Sequence, residues 1–182
     1  MADISKLESL RRYFTSGATR PYTFRSEQLK RLKRSILDHE QELYDALFGD
    51  LKKSPEETWV TETGLVIAEL NTAIKELSTW MEPENVSTNL VNLPSGSSIM
   101  REPLGVVLII APWNYPFQLL INPLVGAIAA GNCVVLKPSE FAPATAAVMK
   151  RIIENAFAPE YILYMEGDGQ QVIPAMMNHF SF

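Results

Sequence analysis

The chain has 182 residues, 47% of them apolar and 20% charged, which is enough to bury a sizeable core and unlike a disordered segment. Its 16 Lys and Arg against 21 Asp and Glu leave a net charge of −5, so there is no basic footprint for nucleic acid. A lone cysteine excludes an internal disulfide framework and suits a reducing compartment, so a cytoplasmic setting is expected.

Residues 1–20 mix charged and apolar side chains without the continuous apolar core of a secretory signal. Residues 1 to about 84 read as a helical region. Leu29, Leu32, Ile36, Leu43 and Leu47 recur at helical offsets and form one apolar stripe. Lys30, Arg31, Lys33 and Arg34 lie between them and read as a solvated face. Ser26 is a candidate N-cap of this helix, and Gly49 sits where a left-handed C-cap would close it. Ser54-Pro55-Glu56-Glu57 opens the next helix with a capping Ser, a Pro at the first helical position and a Glu three residues on. Trp59, Val66, Leu70, Ile74 and Leu77 keep the helical period until Pro83 stops it. No titratable cluster here looks catalytic, and the region reads as scaffold. His39 and His179 have no partners at metal-ligand spacing, so no metal site is expected.

Residues 85–103 change character. Val86, Thr88, Leu90, Val91 and Leu93 are strand formers, and Pro94-Ser95-Gly96-Ser97 is a turn leading into Ser98-Ile99-Met100-Arg101. The expectation is a β-hairpin, marginal alone and therefore joining a larger sheet of this or another chain. Residues 104–182 alternate strand and helix. Val106 to Ala111, Cys133 to Leu136 and Tyr161 to Met165 read as buried strands; Phe117 to Ala130, Pro143 to Phe157 and Gln170 to Met177 read as helices. Continuous rather than alternating apolar strands point to a parallel sheet, about half of a doubly wound nucleotide fold. The longest apolar stretch, Phe117 to Ala130, falls short of the roughly 20 residues a membrane span needs.

Two loops stand out at the carboxyl edge of that sheet, where open α/β folds bind ligands. Pro112-Trp113-Asn114-Tyr115-Pro116 follows the first strand, and its two prolines stiffen the turn that presents Asn114. The amide could donate to a developing oxyanion, or it could merely satisfy its own turn. Trp113 could line a cleft or fill the core. Lys137-Pro138-Ser139-Glu140 follows the second strand, and a Lys donor with a carboxylate acceptor suits a ribose diol, although both residue types are common on any surface. Gly167-Asp168-Gly169 is a plausible third turn at the same edge, and the chain contains no Gly-x-Gly-x-x-Gly fingerprint. Cys133 opens a buried strand and reads as a small hydrophobe rather than a nucleophile.

Glu102-Pro103-Leu104-Gly105-Val106-Val107, Ala111 to Pro116, Gly126 to Asn132 and Val134 to Glu140 resemble, in order and spacing, the aldehyde dehydrogenase superfamily. The helical front, the hairpin and the final His179-Phe180-Ser181-Phe182 are also similar to it, most of all to its class 3 branch. The resemblance implies an α/β fold with N-terminal helices, an oligomerisation hairpin and the first half of a Rossmann-like parallel sheet. It implies NAD, with NADP possible, as cofactor, and Asn114 as the oxyanion donor of a Cys-based oxidation of an aldehyde to an acid. Pro112 and Trp113 would lie at the nicotinamide end, Lys137 and Glu140 at the adenosine ribose, where the carboxylate disfavours a 2′-phosphate. The nucleophilic Cys and the general-base Glu of such enzymes would fall beyond position 182. These residues alone are therefore expected to be inactive and to self-associate, and the whole enzyme is expected to be a homodimer. A short non-catalytic nucleotide-binding or assembly module and a coenzyme A-dependent acylating relative are the alternatives.

Overall fold

The amphipathic first half folds as five helices in the computed structural model, which describes residues 4–180. They are α1 (Ile4–Thr15), α2 (Tyr22–Asp38), α3 (Glu40–Leu51), the short α4 (Pro55–Thr58) and α5 (Gly64–Trp80). The expected stripe is buried: Leu29, Leu32, Ile36, Leu43 and Leu47 are all at most 1% exposed. It is shared between two helices, because the chain breaks at His39, whose Nδ1 lies 2.8 Å from the Ser35 carbonyl oxygen. Ser26 is therefore not an N-cap; it is buried inside α2, which starts a turn earlier behind Pro21. Gly49 is not a C-cap either, since α3 runs on to Leu51 and Lys52 takes the left-handed position with φ 59°.

The capping signal at residue 54 holds. Ser54 Oγ accepts from the Glu57 N–H, and Pro55 occupies the first turn. The helix then widens into a π-turn at Trp59–Thr63 before resuming as α5. Gly64 makes this possible, because a Cβ there would lie 2.6 Å from the Trp59 carbonyl oxygen. The extra residue turns Trp59 half outward, against the expected inward stripe, and drives Glu62 fully into the interior.

Between the halves, β1 (Glu84–Val86) pairs antiparallel with β2 (Ser97–Ile99), giving the hairpin. Leu90–Asn92, read as strand from its β-branched content, is instead a 3₁₀ turn, with Asn89 accepting from the Val91 N–H through its side chain. Leu90 and Val91 are 82% and 88% exposed, so no strand among the described residues covers them.

The second half alternates β3 (Val106–Ile110), α6 (Pro116–Ala130), β4 (Cys133–Lys137), α7 (Pro143–Ala156), β5 (Ile162–Tyr164) and α8 (Gly169–Met177). The three strands are parallel in the order β3-β4-β5, with Val106 opposite Cys133 and Val134 opposite Ile162. Central β4 is buried along its whole length, which its unbroken apolar run anticipates. α6 is bracketed by Pro116 in its first turn and by Gly131 at φ 89° just past its end. α2 packs on α5, α6 and α7, α3 on α7, and α1 lies against all three strands. A continuous core thus fixes the helical front to the sheet and sets the height of the loops at its carboxyl edge. No helix among the described residues is long and apolar enough to cross a membrane. Of the final similar stretch, Ser181 and Phe182 lie outside the described residues.

Candidate active site and cofactor edge

Parallel strands deliver their following loops to one edge, and β3, β4 and β5 bring residues 111–115, 138–142 and 165–168 together there. Ala111 donates to the Lys137 carbonyl at 3.1 Å and Met165 to the Leu136 carbonyl at 2.8 Å, so the ladder holds up to the loops.

Asn114 is exposed on the first loop, and its amide side chain has no hydrogen-bond partner among the described residues. The alternative in which it satisfies its own turn is therefore absent from this structure. Pro112 and Trp113 are exposed beside it, Trp113 by 53%, so Trp113 does not fill the core of this chain. Tight partners lie on the loop's backbone instead. Lys53 Nζ donates to the Asn114 carbonyl at 3.0 Å and stands 4.0 Å from the centroid of the Tyr115 ring. The same ammonium pairs with Glu62 Oε1 at 2.6 Å, with side chains 8% and 0% exposed. Glu62 Oε2 accepts from the N–H groups of Phe117 and Gln118 at 3.1 and 2.9 Å, capping the start of α6 from a different helix.

Lys137 ends β4 almost fully buried, and its ammonium donates to the Pro138 carbonyl at 2.6 Å and Glu140 Oε2 at 3.0 Å. Glu140 Oε1 accepts from the Gly169 N–H at 2.7 Å. Its own backbone N–H, that of Gly169 and the Lys137 ammonium hold the Glu140 carboxyl down to about 2. Gly169 is required by this approach, since a Cβ there would lie 2.9 Å from Glu140 Oε1. Asp168 Oδ1 accepts from the Gln170 N–H and closes the same turn. Glu140 and Asp168 line a cleft of about 390 Å³ with Pro138, Glu166 and Gly167. Each carboxylate oxygen carries two lone pairs. Three donors reach the Glu140 carboxylate, which leaves it acceptor capacity for a ribose hydroxyl, so a ribose fits the edge.

Cys133 is fully buried, and burial pushes its thiol up to about 12, the opposite of what a nucleophile needs. Among the described residues no group of three or more His, Cys, Asp or Glu could hold a metal.

A sequence model of the aldehyde dehydrogenase family matches residues 6–182. The chain belongs to the aldehyde dehydrogenase family. An aldehyde dehydrogenase of Craterostigma plantagineum is 47% identical over 161 residues, covering 88% of this chain and 34% of that protein. Aldehyde dehydrogenase family 3 member B3 of Mus musculus is 50% identical over 177 residues, covering 97% and 37% respectively, in line with the class 3 resemblance. In structure, the substrate-bound AldH of Staphylococcus aureus superposes with a TM-score of 0.93 at 41% identity, covering 99% of this chain and 39% of that one. This chain thus spans about a third of the length of the curated relatives it matches.

Lys53, Glu62 and Asp50 were invisible as site residues from sequence. Lys53 reads as one of two surface lysines before a cap, and Glu62 as a polar member of an amphipathic helix. Asp50 on α3 accepts from the N–H groups of Ala144 and Thr145 and from the Thr145 hydroxyl, capping α7 behind the Glu140 loop. No periodicity carries such pairings, because these residues reach the loops and helix starts across 55 to 95 positions of sequence.

Proposed function

We propose that the whole protein oxidises an aldehyde to a carboxylic acid with NAD, NADP being the second choice, and that this segment supplies the oxyanion donor and the adenosine-ribose site. The observation that carries the proposal is the placement of an unpartnered Asn114 amide on a clamped loop at the same sheet edge as the Lys137–Glu140 pair. Asn114 is the catalytic residue of the segment: its side-chain N–H faces the oxygen that gains charge when a thiolate adds to the aldehyde. Pro112 and Trp113 form the exposed wall beside it, at the nicotinamide end. Lys137 and Glu140 bind the adenosine ribose, Lys137 donating and Glu140 accepting. When bound, the dinucleotide supplies the hydride acceptor. Pseudomonas syringae AldC, 26% identical with a TM-score of 0.79, is known in complex with NAD+ and octanal, which supports this assignment. The thiolate nucleophile and the base that activates water are not contributed by Cys133 or by any carboxylate of this edge.

The segment divides by role into residues 1–84 as helical scaffold, 85–103 as an oligomerisation hairpin and 104–182 as part of the dinucleotide-binding unit. The hairpin's exposed Leu90, Val91 and Ile99 and the adjoining Leu104 support a homodimer contact, and the lone buried thiol suits the cytoplasm. Aldehyde-dependent appearance of NADH absorbance, measured on the whole protein without coenzyme A, is the expected result. Reduction that requires coenzyme A would place the protein among acylating enzymes, and no reduction with any aliphatic or aromatic aldehyde would refute the reading.

A further inference from the structure

Asn114 is presented by backbone that two buried charges hold, and neither charge belongs to the sheet that carries the loop. The path can be followed atom by atom. Gly64 admits the π-turn at Trp59–Thr63, and that turn points Glu62 into the interior. Glu62 divides its carboxylate: Oε1 takes Lys53, and Oε2 takes the N–H groups of Phe117 and Gln118 at the start of α6. Lys53 in turn donates one proton to Glu62, one to the Asn114 carbonyl, and lies over the Tyr115 ring. The peptide carbonyl of Asn114 and the first turn after it are thereby both fixed to the helical front.

A buried ion pair is often replaceable by apolar residues at no loss of stability, so its presence is weak evidence for a stabilising role. A misplacement of about 1 Å at a reacting group, by contrast, can cost about 10²-fold in rate. We infer that Lys53 and Glu62 are positioning residues for the reaction: the pair fixes the Asn114 backbone so that its free amide meets the developing oxyanion. This inference rests on the reading of Asn114 as oxyanion donor given above. Neither Lys53 nor Glu62 touches substrate or cofactor; both act through Asn114.

The test uses the whole protein. Lys53→Met alone leaves the Glu62 charge buried without its partner and endangers folding, so the deciding variant is Lys53→Met/Glu62→Gln. It is neutral at both positions, and the amide at position 62 keeps an oxygen for the α6 N–H groups while the donor to the Asn114 carbonyl is gone. Its kcat is expected to fall about 10- to 100-fold, with aldehyde KM and NADH affinity unchanged. Lys53→Arg, which keeps a donor in reach, is expected to recover part of the rate. In an Asn114→Ala background the double change is expected to add almost nothing, because the group it positions is absent. A folded Lys53→Met/Glu62→Gln protein with wild-type kcat overturns the inference, as does a rate loss that multiplies in full on Asn114→Ala. An Asn114→Ala protein with wild-type kcat would instead sink the oxyanion reading on which the inference stands.

Discussion

Replacing Glu140 by Gln tests the cofactor edge with the least change of shape. Gln keeps one oxygen, so the Gly169 N–H retains an acceptor, but the other oxygen becomes an amide N–H facing the Lys137 ammonium. In the native chain the carboxyl is held from an ordinary 4.5 down to about 2. Taken whole, that interval corresponds to about 3 kcal/mol. Glu140 is exposed, however, and solvent screening reduces the contribution to about 1 kcal/mol. Because the folded value is depressed, the stabilisation is present above pH 4.5 and is lost as pH falls toward about 2. Urea unfolding of native and variant protein should therefore differ by about 1 kcal/mol at pH 7, with the gap closing steadily below pH 4.5. The variant also loses an ionised acceptor for the ribose diol, about 1.5 kcal/mol, so NAD affinity should fall about tenfold. A stability gap that stays constant between pH 7 and 3, or NAD affinity equal to the native protein's, would refute the assignment.

Gly131→Ala should be costly, since φ is 89° and the new Cβ would lie 2.6 Å from the Arg25 guanidinium carbon. Arg25 is buried and donates to the Thr19 and Ala129 carbonyls, so backbone strain and its displacement together are expected to cost about 3 kcal/mol, read from the denaturation midpoint. Cys133, with a thiol near 12, should resist iodoacetamide at pH 8 until the protein unfolds, and Cys133→Ala should keep activity in the whole enzyme; rapid labelling of folded protein would contradict the buried assignment.

The sheet was legible because its strands are continuous apolar runs bounded by Gly and Pro, and β4 came within one residue of its observed end. The helical front was legible as helix but not in its punctuation. Ser26 and Gly49 are cap residues by type, yet packing of α2 and α3 extended both helices past them. Leu90 and Val91 misled because β-branched and large apolar residues signal strands only where something covers them. At the site, Asn114, Lys137 and Glu140 stand out as candidates because they follow strands in loops at the carboxyl edge, and only the resemblance to aldehyde dehydrogenases gives them roles. The residues that hold those loops do not stand out. Lys53, Glu62 and Asp50 act across the fold, and Glu62 reaches the interior only through a π-turn that leaves no mark on the helical period beyond Gly64.

The most direct test of the account is kcat for aldehyde oxidation by the whole protein carrying Asn114→Ala, with NADH affinity measured on the same sample. Loss of one preorganised oxyanion donor should lower kcat about 10²- to 10³-fold while NADH affinity stays native. An unchanged kcat would mean that the exposed amide of Asn114 takes no part in the chemistry, and the central claim would fall.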